Sequence, residues 1–136
     1  MRAALASFAA RPCSGRRIAA LGEMLEVGET SAAEHLALAE PILASGADCV
    51  FLAGDAMQSL VDKLRERTES RWAVKASELY SDLKFTVKSG DLLLLKGSNA
   101  SGIGRLADRL RQWSAAADET MMASGAESAA RGKNAV

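Results

Sequence analysis

The chain has 136 residues, 49% hydrophobic and 25% charged, and its 17 basic and 17 acidic side chains cancel. That length suits one domain with a packed core, and the balanced charge removes the electrostatic case for nucleic acid or an anionic membrane as the main partner. Two cysteines without CxxC spacing and a single histidine argue against a zinc site, and no apolar run reaches the roughly 18 residues of a membrane span.

Residues 2–10 place Leu5, Phe8 and Ala9 on one face and predict a short surface-packed helix. The run is too short for a secretion signal, and Arg11, Arg16 and Arg17 follow closely. With so few cysteines, a reducing compartment is expected. Pro12 and Ser14-Gly15 break the helix. Residues 17–21 read as a short apolar strand ending at Gly22, followed by the loop 22–28. Ser31-Ala32-Ala33-Glu34 fits the capping-box pattern. The helix it opens is expected to reach about Ser45, with Leu36, Ala39, Ile42 and Leu43 inward. Pro41 should kink or interrupt it, and Gly46 should close it.

Cys49-Val50-Phe51-Leu52-Ala53 is the second strand, stopped by Gly54, with Cys49 as a small buried hydrophobe. Met57, Leu60, Val61 and Leu64 mark a helix over 56–66. Trp72-Ala73-Val74 is a weak third strand, and Ser77 is expected to cap a helix running to about Val87. Ser89-Gly90-Asp91 turns into the strand Leu92-Leu93-Leu94-Leu95. A last helix over 102–113 carries Ile103, Leu106, Leu110 and Trp113 on one stripe. From Ser114 the chain has no stripe to bury, so 114–136 is predicted to be a low-complexity tail, disordered or a frayed helix extension. One helix followed by four strand–helix units predicts an α/β fold in 1–113: a mainly parallel sheet with helices on both faces.

Ligands in such sheets bind beyond the carboxyl ends of the strands, which directs attention to Lys96-Gly97-Ser98-Asn99. Gly102-Ile103-Gly104-Arg105-Leu106-Ala107 matches a dinucleotide fingerprint, but it follows the last strand, so no ribose-binding acid on a further strand comes after it. Lys96 precedes its loop, whereas a Walker A lysine ends the loop. Two readings of the loop remain: backbone N–H groups that cradle a carboxylate, or a plain turn with a solvated lysine. Glu23 at the neighbouring strand end could share a site with Lys96 or form a surface ion pair with it. A lone His35 is more often structural than catalytic. A phospho-accepting receiver domain would need a carboxylate pair after the first strand and a mid-sheet aspartate, and only Glu23 and Asp55 stand near those places.

Taken together, Ala19-Ala20-Leu21-Gly22-Glu23-Met24-Leu25-Glu26-Val27-Gly28, His35, Val50-Phe51-Leu52-Ala53-Gly54 and Leu93-Leu94-Leu95-Lys96-Gly97-Ser98 resemble, in order and spacing, the C-terminal domain of a Mur ligase. Met1-Arg2-Ala3-Ala4-Leu5 resembles the helix after that family's interdomain linker. Glu23 stands where the family usually has aspartate, and Asn99 where it often has arginine. The resemblance covers about residues 1–113. It implies a Rossmann-like domain of an ADP-forming ligase of peptidoglycan precursor synthesis, and so of cell-wall biogenesis, cell shape and division. Within the family it points to the activity that adds D-alanyl-D-alanine to a UDP-N-acetylmuramoyl tripeptide through an acyl phosphate. ATP and Mg2+ would be bound mainly by a central domain, and the UDP-sugar by an N-terminal domain. The domain represented here would close over ATP and present the amine.

On that reading the chain is a fragment or a separately encoded piece, without catalytic or metal-binding residues and inactive alone. Its substrate-binding residues would be Lys96, Gly97, Ser98 and Asn99, meeting the dipeptide carboxylate, with Glu23, Met24 and His35 lining the neighbouring loop. The rival reading is a free-standing, non-catalytic Rossmann-like binding or regulatory module.

Overall fold

The computed structural model describes residues 1–24 and 31–123. Ten elements follow one another as α1 (Arg2–Ala10), β1 (Arg17–Gly22), α2 (Ser31–Leu36), α3 (Ala39–Ala44), β2 (Cys49–Ala53), α4 (Gln58–Leu64), β3 (Glu69–Ala73), α5 (Tyr80–Thr86), β4 (Leu92–Lys96) and α6 (Ile103–Ala123). The strands form one parallel sheet in the order β3-β2-β1-β4. This is the expected Rossmann-like α/β architecture.

Alternation along β1, β2 and β4 builds two apolar layers. Ala19 and Leu21 of β1, Val50 and Leu52 of β2, and Leu92 and Leu94 of β4 face one side, against Phe8 of α1, Ile42 of α3 and Leu60 of α4. Ile18 and Ala20, Cys49 and Phe51, and Leu93 face the other, against Leu83 of α5 and Leu106 and Leu110 of α6. Covered on both faces, these strands read as continuous apolar runs because no position is left for solvent.

The edge strand β3 differs from β4 at the opposite edge. β3 begins at Glu69 and ends at Ala73, earlier than the Trp72–Val74 expectation, and Val74 is half-exposed. Glu69 and Arg71 pair on its outer side, and Arg71 also approaches Asp82. Charged side chains are what an unprotected edge requires, and they hide the strand from a hydrophobic reading. Trp72 anchors this edge by donating its indole N–H to the Gly54 carbonyl at 2.7 Å.

Pro41 does interrupt its helix. Without an N–H, and with a ring that would strike the carbonyl of Ala37, it sits in the first turn of α3 while the chain breaks at Ala37-Leu38. Gly46 then ends α3 with φ +76°. The helices expected at 56–66 and from Ser77 both open with a 3-10 turn, Asp55–Met57 and Ala76–Leu79. The cap of the second is displaced from Ser77: the Glu78 carboxylate accepts the backbone N–H of Lys75 at 2.9 Å. α6 continues past Trp113 to Ala123, and Ser114 is buried. The Ser31 half of the capping pair, the loop 25–28 and the tail from 124 lie outside the described residues.

Carboxylates staple the amino-terminal rim of the sheet. Asp91, almost fully buried, accepts the N–H groups of Arg16 at 2.9 Å and Lys88 at 2.8 Å. Asp48 accepts that of Arg17 at 2.8 Å.

Candidate functional site

In the order β3-β2-β1-β4 the chain winds outward from β1 through β2 to β3, then crosses back to the other side of β1. The crevice where winding reverses lies between the carboxyl ends of β1 and β4, the usual ligand position in open α/β sheets. The loops that meet there are Gly22-Glu23-Met24 and Lys96-Gly97-Ser98-Asn99.

Their close approach explains two glycines. A Cβ on Gly97 would stand 2.6 Å from Ser101 Oγ and 3.1 Å from the Gly22 Cα, and one on Gly22 would stand 2.6 Å from Ile103. Neither space exists once the start of α6 packs over the two strand ends. Ser98 closes the junction: its N–H and its hydroxyl both donate to the Glu23 carbonyl, at 3.1 and 2.9 Å. Both donors of Ser98 are therefore engaged within the two loops themselves. Ser101 continues the stitching by donating its hydroxyl to the Ser98 carbonyl at 2.6 Å.

Glu23 is equally engaged. Its Oε2 accepts the backbone N–H of Ala56 at 3.0 Å, and its side chain fills the space in front of Gly54, whose φ of +110° only glycine adopts readily. It makes no ion pair with Lys96, so the surface-pair reading falls. Met24 donates its N–H to Nε2 of buried His35 at 2.8 Å. A backbone N–H can only donate, so Nε2 is the acceptor in this bond.

The expected site residues thus divide between two cavities. Met24 and His35 line one of about 350 Å³ beside Arg2, Glu34 and Leu38. Lys96, Gly97, Ser98 and Asn99 line another of about 360 Å³. Glu23 lies between them as a structural tie. The far wall of the second cavity is a face of α6 that the sequence reading missed: Gly104, Ala107, Asp108 and Arg111. These positions follow the i, i+3, i+4, i+7 rule and so share one face of the helix, beside the stripe of Ile103, Leu106 and Leu110.

The lysine at the mouth of this groove is exposed and pairs with no described carboxylate. Across the groove Arg111 pairs with Asp108 at 3.0 Å. Two cations and one anion leave one formal positive charge, enough to attract a single carboxylate. Burial, and then the Glu69 carboxylate, push the Cys49 thiol up to about 12, so it stays a thiol. Among the described residues no three His, Cys, Asp or Glu side chains come together as a metal site. No Walker A order occurs in the sequence. These residues alone do not fit a magnesium nucleotide. No described helix is long and apolar enough to cross a membrane.

The family model described as "Mur ligase, glutamate ligase domain" matches residues 1–99. The UDP-N-acetylmuramoyl-tripeptide–D-alanyl-D-alanine ligase of Synechocystis sp. is 32% identical over 96 residues, 70% of this chain and 21% of that protein. The chain therefore spans about a fifth of the length of this relative.

Proposed function

The chain belongs to the Mur ligase family, and from that premise we propose that it is the domain that presents the amine substrate in a ligase joining D-alanyl-D-alanine to a UDP-N-acetylmuramoyl tripeptide. The observation that carries this reading is the groove beyond β4, with unpaired Lys96 at its mouth and a single net positive charge. A zwitterionic dipeptide needs one countercharge for its carboxylate and an open path for its amine. The relative's name supports the same pair of substrates.

In this division of labour Lys96 and the Asn99 amide hold the dipeptide carboxylate. Gly97 and Ser98 fix the loop, and Glu23 is a positioning residue that ties this loop to the β1 end. Met24 and His35 hold the other side of the β1 loop. The amine then attacks the activated carboxyl carbon of the tripeptide, forming the amide bond as the activating group leaves and the amine loses a proton. Activation of that carboxylate, with ATP and Mg2+, belongs to a P-loop domain outside these 136 residues, and the UDP-sugar to another. The work is cytoplasmic and serves peptidoglycan synthesis.

A charge-assisted contact of this kind is worth about 1.5–3 kcal/mol, or roughly tenfold to a hundredfold in affinity. Titrating the isotope-labelled chain with D-alanyl-D-alanine should shift the amide resonances of Gly97, Ser98 and Asn99. Lys96→Ala should weaken that binding at least tenfold. Unmoved resonances, or an affinity that Lys96→Ala leaves intact, would reject the reading. ADP release by the purified chain mixed with ATP, tripeptide substrate and dipeptide would reject the division of labour.

A further inference from the structure

We propose that the α6 face of Gly104 and Arg111 is the second half of the amine-substrate site, with Arg111 determining that the substrate ends in a free carboxylate. The inference rests on the reading above and adds residues that neither the loop pattern nor the family match, which ends at residue 99, includes.

Gly104 makes the first case. It stands in the opening turn of a helix, where glycine weakens helical structure, yet it has no backbone reason to be there: its φ is not positive. It has no packing reason either, since a Cβ built on it meets nothing within 4 Å. The glycines at 22, 54 and 97 all have a neighbour that a side chain would strike. What the missing side chain leaves is open space, and that space is the groove facing Lys96. A glycine that only keeps a cavity clear is what close approach of a ligand requires.

Arg111 makes the second case. One of its terminal nitrogens donates to Asp108 Oδ1 at 3.0 Å, and the guanidinium makes no other hydrogen bond to a described residue. The pair is 61% and 72% exposed, so it contributes little to stability. Asp108 instead holds the planar fork along the groove wall, two turns along α6 from Gly104, with donors to spare. A guanidinium matches a carboxylate in plane and can bind both oxygens, which a lysine does only as a point charge. Lys96 supplies attraction from one wall, and Arg111 supplies recognition of carboxylate shape from the other. The groove volume is of the size that holds a small ligand.

The test compares D-alanyl-D-alanine with its C-terminal amide, titrated into the labelled chain. Wild type should prefer the free acid at least tenfold. Arg111→Gln should cut that preference at least threefold while leaving the fold, read by circular dichroism, unchanged. Gly104→Leu should abolish dipeptide binding while leaving the melting temperature equal or higher, because leucine favours the helix. If wild type binds the dipeptide and Lys96→Ala weakens it, but Arg111→Gln keeps the full preference or Gly104→Leu still binds, this inference fails and the amine-site reading stands. If wild type binds neither compound, both fail together.

Discussion

Gly54→Ala should be one of the most damaging single-methyl changes in the domain, and its cost divides into two parts that can be measured separately. Gly54 has φ +110° and ψ 152°, a region that costs other residues about 1–3 kcal/mol. A Cβ there would also overlap the Glu23 side chain, which must then leave. Its departure breaks the 3.0 Å bond to the Ala56 N–H, a charged hydrogen bond worth about 1.5–3 kcal/mol. The sum is about 2.5–6 kcal/mol, a large share of the 5–15 kcal/mol that usually holds such a domain together. With Glu23 already replaced by alanine, only the backbone part remains. Gly54→Ala should then cost about 1–3 kcal/mol, a coupling of about 1.5–3 kcal/mol. Urea unfolding followed by far-UV circular dichroism measures all four proteins, and the single variant should lose roughly 2 M in midpoint for a chain of this size. Equal costs in both backgrounds would refute the idea that Glu23 occupies the space in front of Gly54.

Other outcomes follow from the two rims of the sheet. Asp91→Ala strips the acceptor from the Arg16 and Lys88 N–H groups and should cost about 3 kcal/mol, a fall of roughly 10 °C in thermal midpoint; Asp91→Asn, keeping one oxygen, should lose less. Cys49 should make the fold sensitive to alkali. Its folded thiol titrates near 12 against about 8.5 in an unfolded chain, so both states are protonated below pH 8.5 and nothing is lost there. Above that pH the unfolded chain alone gives up its proton, and stability should fall by about 1.4 kcal/mol per pH unit. Urea midpoints between pH 8 and 10 should fall more steeply for wild type than for Cys49→Ala. A thiol reagent at pH 8 should label only Cys13, which is partly exposed.

Residues that a strand or helix buries on its own account were readable in advance. Ile18–Leu21 of β1, β2 and Leu92–Leu95 of β4 are continuous apolar runs because both their faces are covered, and the stripes of α4 and α6 are regular. Where partners decide, reading by period failed. β3 starts before its hydrophobic signal because this edge tolerates Glu69 and Arg71, and the 3-10 turn leading into α5 is capped at Lys75 by the Glu78 carboxylate rather than by Ser77. The same distinction runs through the candidate site. Lys96 stands out in the sequence by its place after a strand. The roles of Glu23 and Ser98 were hidden, since they depend on Ala56 and on each other across many residues of chain. Asp108 and Arg111 were overlooked for another reason: a polar helix face reads as solvated unless the loop opposite it is known.

Ser98 and Glu23 bond across a separation of 75 residues, and β1, the second element made, finds its outer neighbour only when β4 arrives. During synthesis, β1 can pair with β2 early but keeps one bare edge through the making of β3 and α5. Such long-range pairing is slow, because loop-closure entropy is lost before the contact rewards it. The two loops of the candidate site can thus meet only once β4 and the loop after it have been made. A chain stalled before residue 92 presents an unprotected central strand, with half a ligand site and an open invitation to aggregate.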